Sequence, residues 1–259
     1  MIFYSNVKGI VLTHILFSVA SVIGLFLMFD TKWIFISIFV YYLTGCLGIT
    51  ITFHRYLTHH SFSMPKWLEY LFSFFGAMGG TGSPLGWLAV HRMHHRHSDK
   101  ELDPHSPKNL KWKIFVGGYN YRFNPMDAKS LLRDKFHVNL HRYYYLIFIS
   151  WGTLLFLINP YIGLYGFVVP VAMQTWASII SNWGNHSHGY TNFKINDNSK
   201  NTWWISALTW GEGWHNNHHA HPGSYTFQYK WWEADISAYT IQLICCLSGT
   251  TYSIRRGRS

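Results

Sequence analysis

The 259-residue sequence predicts an all-α integral membrane protein with four transmembrane helices, arranged as two hairpins beneath a helical cytoplasmic cap. One observation is compositional: aromatic residues make up 19% of the chain and charged residues only 12%, about half the charged share of soluble domains. The second is that apolar residues cluster into long runs of the length that crosses a bilayer. The third is that positive charges lie almost entirely on one side of those runs. We therefore expect a single membrane domain over residues 1–259.

Four apolar runs predict the transmembrane helices. Residues 10–29 are a nearly uncharged run of about the length that crosses a bilayer as a helix, and residues 33–53 follow after a short gap. Further along the chain, residues 143–158 and 161–180 form a second pair. An Asn-Pro turn signal separates the members of this second pair and suits a tight connection. The runs therefore predict two helical hairpins.

Two further apolar segments are unsuited to crossing. Residues 66–90 are interrupted by a glutamate, a proline and several glycines, which predicts a broken or re-entrant segment that other protein must cover. Residues 236–248 are short for a span, so we expect them to pack on the cap or to lie at the membrane interface. The cap then comprises residues 54–142 and 181–259.

Charge predicts the orientation of the hairpins. Lys and Arg in short loops favour the cytoplasmic side, and of the 21 such residues only Lys32 would lie in a far-side loop if the N-terminus is cytoplasmic. Both termini and the cap are therefore expected in the cytoplasm. The net charge of +10 follows mainly from this asymmetry, although it also suits anionic lipid, an acidic electron carrier or a phosphate-bearing substrate. Nucleic acid is disfavoured, because no basic module stands apart from the membrane segments.

Several histidines form boxes that all lie on the predicted cytoplasmic side. The stretch H-R-Y-L-T-H follows the second crossing, H-R-M-H-H follows the broken segment, a single histidine lies just past the fourth crossing, and H-N-N-H-H comes later. One histidine near a membrane boundary is usually a surface or hydrogen-bonded residue, but repeated clustering on one side indicates metal ligation. The candidates are His54, His59, His91, His94, His95, His186, His215, His218 and His219.

Helical spacing predicts convergence within the boxes. Residues at i, i+3 and i+4 share one helix face, so each H-x-x-H-H is expected to aim three imidazoles at one point. Asn182 and His186 share a face in the same way. His54 and His59 are separated by roughly 140° around an ideal helix. We therefore do not expect those two to converge on one ion unless the helix ends there, and they could serve two ions.

The ligand types narrow the choice of metal. This many imidazoles exceeds what one zinc takes, and the absence of H-E-x-x-H disfavours a zinc protease. Soluble di-iron helix bundles use Glu ligands, whereas the four predicted crossings contain no Glu. Imidazole suits iron, copper and nickel as well as zinc. An all-histidine site for two irons, open to O2, fits the count best.

The boxes H-R-Y-L-T-H-H-S-F, H-R-M-H-H-R-H-S-D and G-E-G-W-H-N-N-H-H-A-H-P resemble those of membrane fatty acyl desaturases. Their form is most similar to bacterial and cyanobacterial delta-9 acyl desaturases related to stearoyl-CoA desaturase. The similarity runs from about residue 40 to about residue 240 and includes D-P-H-S-P, N-S-K-N-T-W and W-W-E-A-D. Three boxes in order with these flanks make a specific match.

This resemblance implies a four-helix stem under a cap, a di-iron site near the boundary and a narrow acyl tunnel. It implies that a cis double bond is inserted into a saturated fatty acyl chain, at carbon 9, in unsaturated fatty acid biosynthesis, with O2 reduced to water. By motif it assigns metal ligation to the histidines above and places Asn182 where a side chain reaches one metal through water. Because an unactivated methylene has no acidic proton, two iron ions and O2 would supply the chemistry, and no separate acid or base residue is expected.

Further residues are candidates for supporting roles. Carboxylates often orient metal-binding histidines from behind, and the candidates are Glu212, Asp99, Glu101 and Asp103. Tryptophans that could line the acyl tunnel or belt the membrane interface are Trp87, Trp183, Trp203 and Trp204. Histidines expected only to flank the site are His60, His97, His105, His188 and His221, while solvated positions are expected for His137 and His141.

Substrate and partners stay partly open. After D-P-H-S-P this chain reads L-K-W-K-I-F-V-G-G-Y where many relatives have G-F-x-x-S-H-x-G-W, so head-group recognition is undecided. The acyl chain could be carried by CoA, an acyl-carrier protein or a membrane lipid, and electrons would come from a separate ferredoxin-like or cytochrome donor. The alternatives are a related histidine-box di-iron hydroxylase, a desaturase acting at a terminal or second double bond, and a non-enzymatic metal-binding membrane protein.

Overall fold

A computed structural model describes residues 7–117 and 124–252 of the chain. The described residues form helices joined by loops, and extended pairings among them are isolated bridges, such as that between Tyr190 and Asn201. The predicted all-α class is therefore confirmed for the part of the chain that the structure describes.

The helices divide into a stem and a cap. In chain order they are α1 (Val7–Leu27), α2 (Thr31–Tyr41), a first π-helix (Tyr42–Thr58), α3 (Lys66–Met78), α4 (Pro84–His97), α5 (Pro107–Leu110), two 3-10 helices (Lys111–Val116 and Pro125–Ala128), α6 (Lys135–Arg142), α7 (Tyr144–Ile158), α8 (Pro160–Gly163), a second π-helix (Leu164–Val168), α9 (Val169–Gly184), α10 (Trp203–Leu208), α11 (His215–Ala220) and α12 (Ile236–Ser248). The first π-helix continues α2, and the second joins α8 to α9. We call α1, α2 with its π-helix, α7 and the α8–α9 helix the stem, and the other helices the cap.

Three stem helices are long and apolar enough to cross a membrane within the described residues. They are Lys8–Leu27, Thr31–Thr58 and Pro160–Gly184, and they correspond to the first, second and fourth predicted crossings. The third predicted crossing forms α7, which is apolar but has only 15 residues, fewer than the roughly 20 of a typical span. The second span also extends beyond its predicted end at residue 53, which carries the first histidine box into the helix itself.

The stem helices pack through an aromatic core and a few buried polar contacts. Tyr165, Phe167 and Phe148 lie together in this core. The imidazole of His14 on α1 is 3.1 Å from the Thr175 hydroxyl on α9, which pairs a polar group that would be costly alone at membrane depth. The outer faces carry large exposed apolar side chains, including Phe26, Phe35 and Leu157. Such a continuous apolar surface fits contact with lipid.

The predicted break within residues 66–90 is confirmed. α3 ends at Met78 and α4 begins at Pro84, with the intervening turn passing through Gly82 at a φ of +103°, a conformation that glycine adopts most readily. The Ser83 hydroxyl accepts the Gly86 amide and caps α4. α3 also packs closely on the first π-helix, because a Cβ on Gly48 would lie 2.2 Å from the Gly76 amide nitrogen.

The basic loop before α7 is less solvated than predicted. His137 is fully buried on α6, and its Nε2 lies 2.8 Å from a carboxylate oxygen of Glu69 on α3. His141 is half-buried, with its Nδ1 2.6 Å from the Ser83 hydroxyl. The prediction of solvated histidines was wrong because α6 folds back onto α3 and α4 instead of projecting into water.

The last apolar segment forms a helix that packs on the stem and is apolar on both faces. Ala238 and Ile241 of α12 are buried in a cluster with Cys46 and Ile51 of the first π-helix. The opposite face of α12 exposes a row of apolar side chains, Ile236, Tyr239, Leu243 and Leu247. α12 therefore packs on the first π-helix of the stem at one face and leaves an apolar face uncovered. The predicted packing on the cap is only part of the arrangement, through Phe72 of α3 in the same cluster.

A buried ion pair joins the stem to the cap. The Arg55 guanidinium is fully buried and donates to Asp235 over 2.8 Å and to the Tyr225 carbonyl over 2.9 Å. Asp235 also caps α12 by accepting the Ala238 amide. The guanidinium lies 3.8 Å from the Phe227 ring centroid. Because all of these partners are buried, the contacts of Arg55 hold three segments in one arrangement. These are the first π-helix, α12 and the loop that precedes α12.

We expect Asp235→Asn to destabilise the protein, because it removes the charge that faces buried Arg55. Breaking a buried pair from one side costs about 3 kcal/mol or more, and Glu212, 3.4 Å from the guanidinium, compensates only partly. The detergent-solubilised variant should lose its monodisperse chromatography peak at a clearly lower temperature than wild type. Glu101→Gln, at an exposed carboxylate, is the matched control. Equal thermal stability of Asp235→Asn and wild type would contradict the central role of this pair.

Candidate metal centre

The structure brings all nine predicted histidines together, in two neighbouring groups. A five-histidine group contains His54, His59, His91, His95 and His218, and a four-histidine group contains His94, His186, His215 and His219. Within each group the candidate ligand atoms lie within 4.8 Å of one another. Each group is thus compact enough to surround a single ion.

Each H-x-x-H-H triplet is divided between the two groups, which corrects the prediction that its three imidazoles aim at one point. On α4, His91 and His95 enter the five-histidine group while His94 enters the other. On α11 the division is reversed, since His218 enters the five-histidine group and the i, i+4 pair of that helix enters the other. The reason is helical geometry: residues i and i+4 are about 40° apart, whereas i+3 lies about 60° to the opposite side. One short helix can therefore serve two ions.

His54 and His59 lie in the same group, which the sequence predicted only for a helix that ends at this point. Their ring centroids are 5.0 Å apart. The helix here is a π-helix, as shown by the His59 amide donating to the His54 carbonyl over 3.2 Å, and residues five apart are hydrogen-bonded neighbours in that geometry. The helix also ends at Thr58. The wider turn and the helix end together bring the two imidazoles to one side.

The Nε2 atoms of the groups converge at distances that suit metal ligation. His54 and His218 Nε2 are 2.9 Å apart, and His218 and His95 Nε2 are also 2.9 Å apart. In the four-histidine group, His215 and His186 Nε2 are 3.1 Å apart. Two imidazoles bound at right angles to one ion at about 2.1 Å would be separated by about 3 Å. The observed spacings therefore match a shared ion between the rings.

Carboxylates behind the rings determine which nitrogen faces inward. The Nδ1 of His94 lies 3.0 Å from Asp103, and the Nδ1 of His219 lies 2.7 Å from Asp197. An ionised carboxylate only accepts, so both Nδ1 atoms must donate, and both Nε2 atoms carry lone pairs. These lone pairs face each other over 3.3 Å. Two facing lone pairs repel without a cation between them, so the site chemistry fits a bound metal.

Three of the four predicted carboxylates contact histidines. Glu212 accepts from His54 Nδ1 over 2.5 Å and Asp99 from His186 Nδ1 over 3.0 Å, besides the contact of Asp103 with His94. Glu101 is exposed and makes no such contact among the described residues, so its prediction was wrong. A fourth carboxylate, that of Asp197, also contacts a histidine and was not predicted. It could have been predicted from the sequence, because Asp197 immediately precedes the N-S-K-N-T-W stretch.

The carboxylates behind the histidines have pKa values that leave them ionised at pH 7. Burial alone would raise the pKa of Asp99 and of Asp197, but the hydrogen bonds from His186 and His219 outweigh it and hold both pKa values below their ordinary range. The same opposition lowers the pKa of Glu212, through His54 and Arg55. Burial raises the pKa of Asp103 to about 6, which still leaves it mainly ionised at pH 7. Ionised partners orient the imidazoles and increase their basicity toward a metal.

The buried imidazoles are held neutral, the form that binds metals. Burial, reinforced by neighbouring histidines, lowers the pKa of six of them well below the ordinary value, so that they carry no proton charge at pH 7. These are His59, His91, His94, His95, His215 and His218. The Nε2 of His59 is also buried without a hydrogen-bond partner among the described residues. A buried nitrogen without a hydrogen-bond partner is suited to metal ligation.

A cavity of about 650 Å³ reaches both groups. His54 and His91 of the five-histidine group and His215 of the four-histidine group lie on its wall, beside Asn182 on α9. Its size falls within the range of pockets that hold small ligands. His105, expected only to flank the site, is buried on the same wall and stacks on His94 with ring centroids 4.2 Å apart.

One of the four predicted tunnel tryptophans lines this cavity. Trp87 lies on the wall and stacks on His91, with ring centroids 4.8 Å apart. Trp183 instead lines a second cleft beside His186. Trp203 is 70% exposed, and neither it nor half-buried Trp204 lines either cavity, because α10 turns their rings away. Trp210, which directly precedes the G-E-G-W-H box, lines the cavity and was not predicted.

Comparison with known proteins gives a consistent result. The fatty acid desaturase family model matches residues 31–239. The sn-1 stearoyl-lipid 9-desaturase of Anabaena variabilis is 36% identical over 225 residues, which cover 83% of this chain and 82% of that protein. The protein of the same name from Synechocystis sp. is 36% identical over 228 residues, with 85% and 71% covered. Delta-9 acyl-lipid desaturase 1 of Arabidopsis thaliana is 38% identical over 217 residues, with 79% and 70% covered.

The matched region runs from the second stem helix to α12 and contains both histidine groups and every carboxylate behind them. The similarity is therefore not confined to the boxes but extends through the helices that position them. The chain belongs to the fatty acid desaturase family, and it is an oxidoreductase that acts on fatty acyl chains.

Proposed function

We propose that this protein is an O2-dependent desaturase that inserts a cis double bond at carbon 9 of a saturated acyl chain carried on a membrane lipid. The observation that carries this proposal is the cavity wall, where histidines of both groups meet a space of the size that holds a small ligand. The relatives support the position and the carrier, since three of them are named for lipid-linked acyl chains and position 9. CoA and acyl-carrier protein remain alternative carriers to be tested.

The two histidine groups are proposed to hold two iron ions. The five-histidine group would surround one ion, and the four-histidine group, completed by Asn182 through a water, would surround the other. Bound iron would supply the activation of O2 that lets hydrogen be removed from an unactivated methylene. Overall, two hydrogens from the chain, two electrons and two protons convert O2 to two waters and leave one new carbon–carbon double bond.

The protein's own contribution is to position the chain and to exclude water. Carboxylates keep the imidazoles turned toward the ions, as Glu212 does for His54. The cavity wall beside the histidines is formed by the rings of Trp87 and Trp210 and by apolar Ile49 and Ala177. Such a wall would hold a chain by shape alone, so that the carbons nearest the histidines are the ones that react. The depth of the cavity beyond the histidines would then decide the position of the double bond.

We propose that the chain crosses the membrane four times and that the histidines lie on the cytoplasmic side. The second span and the α8–α9 helix both run toward the histidines, since His54 and His186 lie at or just beyond their C-terminal ends. The chain must therefore return to the far side between Thr58 and Pro160. α7 is the apolar helix available for this return, and local bilayer thinning can accommodate its shortness. The distribution of Lys and Arg supports a cytoplasmic location for the cap and both termini.

A separate acidic protein is proposed as the electron donor. A second cleft, of about 370 Å³, leads from the surface to His186. Lys108 and Lys111 line this cleft, and Trp183 forms part of its wall. A basic rim next to a ligand histidine would attract an acidic ferredoxin or cytochrome and bring its redox group close to the ions.

Fatty acid analysis tests the proposed reaction directly. Cells that express the protein should accumulate acyl chains with one new cis double bond at carbon 9, located by mass spectrometry after derivatisation. After a pulse of labelled saturated fatty acid, labelled unsaturated chains should appear first in a glycerolipid. A hydroxylated product without a new alkene would show the rival hydroxylase activity, and unsaturation at another carbon would overturn the proposed position.

His94→Ala tests whether the four-histidine group holds a metal. Because His94 is fully buried and faces His219, we expect loss of about half of the bound iron and loss of turnover, with membrane insertion intact. The matched control is His97→Ala, on the same helix but outside both groups. Iron content by elemental analysis separates the two variants. Full iron content and activity in His94→Ala would remove His94 from the ligand set.

Asp197→Asn tests the carboxylate behind His219. The amide leaves the size of the side chain almost unchanged but weakens the orientation of the imidazole, which typically reduces metal affinity about 10–100-fold. Titration of the apoprotein with Fe2+ under anaerobic conditions should show this loss. Glu101→Gln provides an exposed carboxylate control. An unchanged Fe2+ affinity in Asp197→Asn would indicate that the contact with His219 is only structural.

A further inference from the structure

The wall of the main cavity is exposed at one corner. Most of its lining residues are buried or half-buried, and the exposed ones are Arg142, Tyr143 and Leu146. All three lie where α6 ends and α7 begins. Leu146 is 65% exposed and Tyr143 is 47% exposed. We define these three residues, together with Ile10 on the facing wall, as the cavity mouth.

The mouth lies between the cap-side ends of two stem helices. Ile10 is in the first turns of α1, and Leu146 is in the first turn of α7. The turn at Gly82 brings them together: a Cβ on Gly82 would lie 3.4 Å from Ile10 Cδ1, and its amide donates to the Tyr144 hydroxyl over 3.3 Å. The opening therefore lies beside the first turns of two apolar stem helices, next to the end of the cap helix α6.

The mouth is apolar on the side of the stem and polar on the side of the cap. Leu146 continues the exposed apolar surface of α7, which includes Ile149. Arg142 and Tyr143 lie on the cap side, and none of the ion pairs among the described residues includes Arg142. Arginine binds phosphate oxygens through a planar pair of donors, and tyrosine favours the head-group region. Such an edge matches a glycerolipid, which has an apolar chain next to an anionic or oxygen-rich head.

Another part of the cavity wall is buried. Tyr41, Gln174 and Thr209 line it and are all buried, and the Tyr41 hydroxyl donates to the Leu208 carbonyl over 2.6 Å. Trp87 and the wall histidines line the same cavity. A chain that enters at the mouth would therefore share one space with the histidines, and the buried part of the cavity is available for its methyl end.

We propose that the acyl chain enters sideways from the bilayer through the mouth, on a glycerolipid whose head group stays at the membrane surface and contacts Arg142. This rests on the proposed function, because it takes an acyl chain as the substrate. The shared ligand chemistry is a long saturated chain joined to a phosphate-bearing head, which a bilayer glycerolipid or a water-soluble CoA thioester could present. The lateral position of the mouth favours the glycerolipid.

The route is tested by photo-crosslinking of the full chain in nanodiscs of phosphatidylcholine with phosphatidylglycerol. One arm carries phosphatidylglycerol with a diazirine near the carbonyl end of its stearoyl chain, and the other arm adds stearoyl-CoA bearing the same group. We expect the lipid probe to label the peptide that contains Arg142, Tyr143 and Leu146. Leu146→Trp should reduce the labelling of cavity residues other than those of the mouth by at least about tenfold. It should reduce turnover of the lipid by the same factor, which corresponds to about 1.4 kcal/mol of free energy.

The matched control is Ile149→Trp, which adds the same ring to an exposed α7 position that does not line the cavity. It should leave labelling and turnover unchanged. Arg142→Gln should raise the KM for phosphatidylglycerol with little change in kcat, and Arg142→Lys should restore part of it, because the contact is proposed to serve binding alone. These variants do not alter the histidines, so iron content should match wild type.

The outcomes separate the route from the reaction. Unsaturated product that forms equally well in Leu146→Trp and wild type would overturn the mouth while leaving the proposed reaction standing. Labelling of the mouth by stearoyl-CoA but not by the lipid probe would overturn entry from the bilayer. Labelling of the mouth by the lipid in a wild type that forms no unsaturated product would support the route and contradict the proposed reaction.

Discussion

The structure depends on holding nine imidazoles so that ring nitrogens face one another in two compact groups. Facing lone pairs repel one another, so the surrounding protein must impose this arrangement before any ion stabilises it. Four carboxylates contribute by accepting hydrogen bonds from Nδ1–H groups, as Asp103 does from His94. Glu212 also contacts Arg55, which pairs with Asp235 at the start of α12. The contacts that orient His54 are therefore continuous with those that fix the cap on the stem.

Helix geometry explains how so few segments supply two sites. On α4 and α11 the i, i+4 pair faces one group and the i+3 residue faces the other, in opposite senses. Each helix thus spans both groups, which keeps the groups at a constant separation without a connecting loop. The π-helix adds His54 and His59 to the same side. Together these features place the groups at the end of the stem, where the cavity runs between the stem helices.

Much of the site could be predicted from the sequence, but only where position along the chain decides the contact. The histidines were predictable because boxes on one side of a membrane leave few alternatives. Three carboxylates were predictable because they lie within a box or within D-P-H-S-P. Side-chain direction was not predictable. Glu101 and Asp103 are two residues apart, yet only Asp103 turns inward. The prediction that Trp203 and Trp204 line the cavity was wrong for the same reason. Trp210 lines the cavity and was not predicted.

The sequence by itself determined the membrane class, the helical composition and the set of histidines that cluster at the site. These follow from the length of apolar runs, the one-sided charge and the number of imidazoles, which do not depend on how the helices pack. Only the tertiary structure decided how the histidines divide into two groups, which carboxylates lie behind them and where the cavity opens. These features depend on the angle of each side chain and on contacts between residues far apart in the chain, such as Asp197 with His219, both of which arise when the helices pack.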